Sequence, residues 1–176
     1  MTQSYLERLL DAIDNDDELL VKNILGSNHI KIIEFLMNFG YSPLEHALEI
    51  GSLNAARTLI ELKIGLDLCV ARHPLEVAIS SNQIEMIKLL LIAGVDVNRN
   101  LGEGWSFLMT ASVCGNLEVA KLLVDAGADA SRITQEGWTA HSIALRAGFF
   151  ALSRYLDSLV VEQTVTGVQE EWEKLP

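Results

Sequence analysis

The sequence predicts an all-α protein built from stacked pairs of helices, and two periodic features carry this prediction. Four alanines recur at nearly equal intervals, at Ala47, Ala78, Ala111 and Ala144. A glycine or asparagine follows each of them within the next helical turn, at Gly51, Asn82, Gly115 and Gly148. A period of about 33 residues, made of a short helix, a turn and a longer helix, is typical of a helical-repeat solenoid. The 49% apolar content of this 176-residue chain is sufficient for a packed core.

The first helix of each unit has a predicted beginning and end. Ser42, Ser106 and Thr139 carry hydroxyls that can accept a hydrogen bond from a first-turn amide. His73 stands at the same place in the remaining unit, and proline suits the first turn at Pro43 and Pro74. The breaks that follow the helices suit a left-handed residue, which glycine and asparagine adopt readily. The longer second helices are predicted to end in the same way at Gly94 and Gly127.

One unit resembles a known repeat over its whole length. It runs from Gly104 to Asp129 and reads Gly-Trp-Ser-Phe-Leu-Met-Thr-Ala-Ser-Val-Cys-Gly-Asn-Leu-Glu-Val-Ala-Lys-Leu-Leu-Val-Asp-Ala-Gly-Ala-Asp. This is similar to an ankyrin repeat, as is the unit from Arg72, and the units from Tyr41 and Gly137 are divergent versions. The resemblance covers residues 41–158 and implies an ankyrin-like solenoid with short hairpin loops between repeats. It implies a binding architecture without naming a ligand.

Two residues depart from the family pattern. Glu45 stands where ankyrin repeats usually have a histidine, and Lys63 replaces the glycine that ends the second helix.

The two ends of the chain differ from the repeats. Residues 1–40 are predicted to form a degenerate N-terminal helical cap, with helices around 3–14, 17–26 and 29–38. Residues 28–40 are alternatively an inter-repeat loop. Residues 159–176 form a tail that either caps the last unit or offers a short helix with Trp172 to a partner.

The chain is acidic, and the acidity is concentrated at its ends. The net charge is −11, of which the first 20 residues contribute −5 and the last 20 contribute −4. Phosphate binding needs clustered Lys and Arg, so nucleic acid is not an expected ligand. Acidic ends suit either a solubilising role or the electrostatic steering of a basic partner.

No arrangement of catalytic or metal-binding residues stands out. The histidines at 29, 46, 73 and 141 each suit capping, packing or a loop hydrogen bond. Cys69 and Cys114 are too few for a zinc site or a disulfide framework. The adjacent carboxylates of Asp16 and Asp17 project differently, which makes a poor acid–base pair. Phosphate loops and nucleophile elbows are also missing from the sequence. We therefore expect a non-enzyme that needs no cofactor or metal.

The resemblance instead directs attention to a concave groove. It places the residue before each helix cap in that groove, at Tyr41, Arg72, Trp105 and Trp138. Tyr, Trp and Arg dominate interface hot spots, although an aromatic ring here also suits bracing of the loop. Late first-helix residues are predicted to line the same groove: Glu49, Ile50, Ser80, Ser81, Val113, Cys114 and Arg146. The loop tips form a predicted polar rim: Arg99, Asn100, Glu103, Arg132, Gln135 and Glu136.

These features predict a non-catalytic scaffold that binds a partner protein through the groove. An apolar run of the ~20 residues needed to span a membrane is missing, and the N-terminus does not resemble a secretory signal. We expect a cytoplasmic monomer or weak oligomer. The alternative function is an acidic inhibitor or immunity-type protein that neutralises a basic effector such as a nuclease. A more remote alternative is an enzyme or small-molecule binder with a site that the sequence does not display.

Overall fold

A computed structural model describes residues 2–26, 42–66 and 72–159 of the chain. All regular secondary structure in these ranges is α-helical, which confirms the predicted fold class. The chain divides into two compact units, Met1–Asp96 and Val97–Pro176.

The first unit contains three pairs of helices in its described part. The pairs are α1 (Thr2–Asp14) with α2 (Glu18–Gly26), α3 (Pro43–Ile50) with α4 (Leu53–Glu61), and α5 (Pro74–Ser80) with α6 (Ile84–Ile92). Each helix packs against its partner in the pair, α3 also packs against α1 and α5, and α4 also packs against α2 and α6. First helices therefore form one layer and second helices form the other, as a stacked helical repeat requires.

Aliphatic side chains fill the space between these two layers. Ala47 and Ala78 are fully buried in the first-helix layer, where a small side chain lets neighbouring helices approach closely. Burying a large aliphatic side chain contributes about 1.5–3 kcal/mol, so these residues dominate the stability of the unit. The largest fully buried ones are Leu9, Ile13, Leu25, Leu44, Leu48, Leu59, Leu75, Ile79, Met86 and Ile87.

The second unit repeats this arrangement. It contains α7 (Phe107–Cys114), α8 (Leu117–Asp125), α9 (Ala140–Arg146) and the helical residues 150–159 (α10). Helix α7 packs against α8 and α9. Phe107 is fully buried, and the ring of Phe149 lies so close to Gly115 that it leaves no room for a Cβ there. His141 Nδ1 lies 3.0 Å from the carbonyl oxygen of Ser153, which joins α9 to α10.

The predicted helix caps are confirmed. The hydroxyls of Ser42, Ser106 and Thr139 each accept a hydrogen bond from the third helical amide, at 3.2, 3.3 and 3.1 Å. His73 Nδ1 accepts from the amide of Leu75 at 3.1 Å and caps α5 with its ring. The predicted left-handed breaks all have positive φ, including Asn82 at 55°. Lys63 also adopts φ 56°, so a lysine keeps the backbone conformation that the family pattern gives to glycine.

Helices α1 and α2 lie where two of the three N-terminal helices were expected. The third expected helix, 29–38, lies outside the described residues, as do the tail from residue 160 onward and Trp172. The domain limits at residues 40 and 159 therefore stay predictions. Asp16 and Asp17 both accept backbone hydrogen bonds: Asp17 caps its own helix at Leu20, 2.9 Å away, and Asp16 binds the start of α4.

Candidate protein-binding site

Two equivalent turns carry the tryptophans of the second unit. In the first, the amide of Leu101 donates to the carbonyl of Trp105 at 3.1 Å, and in the second, Thr134 donates to Trp138 at 2.9 Å. The turns are joined by a hydrogen bond from the Gln135 amide to the Glu103 carbonyl at 3.0 Å. The repeat therefore places both tryptophans at the same point of neighbouring turns, directly before a first helix.

Hydrogen bonds hold both indole rings while leaving them half-buried. Trp105 Nε1 donates to Thr110 Oγ1 at 3.1 Å, and Trp138 Nε1 donates to Glu136 Oε2 at 3.2 Å. The guanidinium of Arg146 lies over the ring of Trp138, 4.9 Å from its centroid, which is a cation–π contact. The rings are thus preorganised on a surface that water still reaches.

Two adjacent pockets open around these rings, and both are lined by Trp105, Glu136 and Trp138. We call the residues of the two pockets together the tryptophan surface. The turn pocket, of about 410 Å³, is also lined by Leu101, Gly102, Glu103, Thr134 and Gln135. The helix pocket, of about 460 Å³, is also lined by Val113, Ile143, Arg146 and Ala147.

The helix pocket brings together four of the predicted groove residues: Trp105, Val113, Trp138 and Arg146. Val113 is 53% exposed, which is high for an aliphatic side chain at the end of a helix. Cys114 is exposed beside it without lining either pocket. Sequence reasoning missed Ile143, although it precedes Arg146 by one helical turn and so shares its face.

The loop tips divide into two groups. Glu103, Gln135 and Glu136 line the turn pocket, as a polar rim would. Asn100 and Arg132 instead brace the loops, since Asn100 Oδ1 accepts from the Gly102 amide at 3.0 Å and Arg132 donates to the Asn98 carbonyl at 2.6 Å. The carbonyl of Arg99 accepts a longer bond from Arg132 at 3.4 Å.

In the first unit, Arg72 is the counterpart of the tryptophans and is held against its own helix. Its guanidinium donates to Ser80 Oγ at 2.6 Å and to Glu76 at 3.4 Å. Its amide donates to the carboxylate of Glu45 at 3.0 Å, so the residue that replaces the family histidine links two repeats. The other predicted groove residues of this unit, Glu49, Ile50, Ser80 and Ser81, are exposed.

Several residues considered from the sequence have structural partners or lie outside the described ranges. His46 Nε2 lies 2.9 Å from Asp14 Oδ1, which joins α3 to the end of α1. Tyr41, His29 and Cys69 belong to the segments that the structure does not describe. Within the described ranges, no three His, Cys, Asp or Glu side chains are grouped closely enough to hold a metal ion.

None of the helices in the described ranges has the length and apolarity that crossing a bilayer demands. No curated protein matches the chain in a sequence search. The family model for ankyrin repeats in three copies matches residues 9–101 and 77–162, which together span most of the chain. Proteins built from these repeats generally mediate protein–protein interactions and are typically non-enzymatic scaffolds. The two-layer stack of capped helical pairs and this match together show that the chain belongs to the ankyrin repeat family.

Proposed function

We propose that this chain is a non-catalytic scaffold that binds a partner protein through the tryptophan surface. The observation that carries the proposal is the pair of half-buried indole rings, each held by a hydrogen bond, beside an aliphatic side chain that is 53% exposed. Rigid aromatic side chains lose little conformational entropy on binding, and tryptophan and arginine are enriched at hot spots.

A purely structural role, in which the rings only brace the turns, explains this surface less well than protein binding does. The backbone hydrogen bonds already close both turns, at 3.1 and 2.9 Å, without help from the rings. Exposed apolar side chains that line a pocket next to aromatic rings are typical of interaction sites. The polar groups around them, among them Gln135 and Glu136, suit a rim that orients the partner.

We also propose that the corresponding predicted residues of the first unit contribute to partner binding: Tyr41, Arg72, Glu49, Ile50, Ser80 and Ser81. We also propose that the protein acts in the cytoplasm as a monomer or weak oligomer. A basic effector as the partner, neutralised in the manner of an inhibitor, remains the second candidate function. The net charge of −11 is the observation that favours it.

Replacing both tryptophans tests the proposal. Affinity capture from source-cell lysate with the Trp105→Ala/Trp138→Ala protein should retain at least about tenfold less partner than wild type, because two hot-spot residues together contribute upward of about 2 kcal/mol. Quantitative mass spectrometry of the captured proteins measures this, at low salt and at ~0.5 M salt. Circular dichroism checks that the double variant is folded.

Two single substitutions distinguish binding at the tryptophan surface from nonspecific adsorption to any exposed apolar side chain. Val113→Gln should weaken capture, whereas Ile92→Gln should not. Ile92 is 82% exposed and equally apolar, but it lies on α6, which carries none of the proposed binding residues. The proposal would be contradicted by a partner whose capture by the wild-type protein is lost at ~0.5 M salt and is unchanged by the tryptophan substitutions. That result would indicate that the acidic ends of the chain bind the partner, and it would favour a basic effector as that partner.

A further inference from the structure

We propose that the turn pocket binds a cationic side chain, lysine or arginine, of the partner protein. This inference rests on the proposed function and specifies the chemistry that one pocket of the tryptophan surface recognises. It is supported by the charges in the pocket and by an asymmetry between the two tryptophan repeats.

The charged residues that line the turn pocket are all acidic. Of its eight lining residues, Glu103 and Glu136 are carboxylates and none is Lys or Arg. Both carboxylates are exposed, and neither forms a salt bridge with any residue in the described ranges. The residues that line the turn pocket therefore include no base to balance this negative charge, and an incoming cation would neutralise it.

The second unit shows how a cation sits on this kind of ring. Arg146 lies over Trp138 at 4.9 Å, with the carboxylate of Glu136 on the indole nitrogen of the same ring. A guanidinium, an indole and a carboxylate thus already form a compact group here. Because Arg146 lines the helix pocket, this group is an example of the chemistry that we assign to the turn pocket and not of its geometry.

Trp105 lacks the cation that its counterpart has. Shifting the sequence by one repeat aligns Trp138 with Trp105 and Arg146 with Val113. Within the described ranges, the cation–ring contacts are Arg146 over Trp138 and Lys121 over Tyr155, so the ring of Trp105 carries none. The Trp138 repeat therefore supplies its own cation, and the other repeat presents the ring of Trp105 and the carboxylate of Glu103 without one.

The exposed position of the pocket sets the strength of this interaction. Cation–π contacts and carboxylate pairs at exposed sites are individually weak, so a single side chain should bind with a dissociation constant on the order of 10–100 mM. The interaction should weaken as salt screens the carboxylates. Within a larger interface, such a contact would mainly fix the register and identity of the partner segment.

Titration of the full chain with short peptides tests the inference. The probes are acetyl-Gly-Gly-Lys-Gly-Gly-amide, its arginine equivalent and a neutral norleucine equivalent of similar shape. Nuclear magnetic resonance resolves the three indole N–H signals, which Trp→Phe variants assign. The lysine and arginine peptides should shift the signals of Trp105 and Trp138, and norleucine should bind at least about tenfold more weakly.

A pair of charge-matched variants decides whether the two carboxylates are responsible. Glu103→Gln/Glu136→Gln should weaken lysine binding at least about fivefold, whereas Glu118→Gln/Asp125→Asn should change it less than twofold. The control removes the same charge from exposed positions on α8, outside the pocket. Equal binding of norleucine, no effect of the pocket substitutions, or no shift with about 50 mM peptide would each overturn the inference.

These outcomes are distinct from failure of the proposed function. If the peptides do not bind but capture of a protein still depends on Trp105 and Trp138, only the cationic chemistry is wrong. If the peptides bind but no captured protein depends on the tryptophans, the pocket recognises cations and the proposed scaffold function is wrong.

Discussion

Replacing Gly104 with alanine is expected to destabilise the second unit by about 3 kcal/mol. Gly104 has φ 84°, where an L-residue costs about 1–2 kcal/mol. A Cβ at this position would also stand 2.7 Å from the carbonyl oxygen of Ile133 and 3.0 Å from the Cα of Thr134. Both are backbone atoms of the neighbouring loop, so the two turns must separate, and overpacking of this kind costs about 1–3 kcal/mol.

Gly137 provides a matched control for this prediction. It stands at the equivalent position of the next turn, with φ 85°, and a Cβ there would meet nothing within 4 Å. Gly137→Ala should therefore cost only the conformational part, about 1–2 kcal/mol. Tryptophan fluorescence during urea unfolding measures both, because Trp105 and Trp138, the tryptophans of the described ranges, belong to the second unit. Equal losses in the two variants would show that contact between the turns contributes nothing.

The helical units could be predicted from the sequence because their signals are local. A capping hydroxyl acts on an amide of the next helical turn, as Ser106 does on Met109, and a left-handed glycine ends a helix within its own turn. Both signals recur in successive repeats, so the helix limits predicted in one repeat can be compared with those predicted in the others. The family match to residues 9–162 covers the region 41–158 that periodicity indicated and extends into the predicted N-terminal cap.

The links between repeats could not be predicted in this way. The sequence shows that Glu45 departs from the family pattern, but its acceptance of a hydrogen bond from the Arg72 amide depends on which loop the fold brings to it. Asp16 and Asp17 look equivalent in the sequence, yet one caps its own helix and the other caps a helix in the next pair. Contacts between residues that are far apart along the chain leave no short-range pattern.

The candidate site was partly accessible from the sequence. Repeat position singled out Trp105 and Trp138, and the same alignment sets Arg146 against Val113. The two pockets depend on how closely the neighbouring turns approach, and that distance follows from the Gln135–Glu103 hydrogen bond and from the absence of a side chain on Gly104. Their role in binding stays a prediction until the variants are measured.

Replacing Asp16 with glycine is expected to destabilise the first unit by about 2 kcal/mol, the upper end of what loss of a helix cap costs. The N-cap residue of α4, Ser52, makes no side-chain capping bond, and the Asp16 carboxylate takes over that role. It accepts hydrogen bonds from the amides of Asn54 and Ala55 at 2.8 and 2.9 Å, and from the Asn54 side chain at 2.8 Å. The upper end applies because these bonds involve a charged acceptor, and a negative charge also favours the start of a helix.

Glycine is the informative replacement because Asp16 has φ 53°, a conformation that glycine adopts without strain. Asp16→Asn should destabilise the first unit by about half as much as Asp16→Gly. The amide oxygen of the new side chain still accepts from the backbone, whereas its NH₂ group faces the donor of the Asn54 side chain. Hydrogen exchange of the α4 amides should accelerate in both variants. Asp11→Asn removes the same charge from an exposed position on α1 and should leave α4 unchanged. If exchange in α4 is the same for Asp16→Gly and Asp11→Asn, the cap between these two helical pairs does not stabilise the stack.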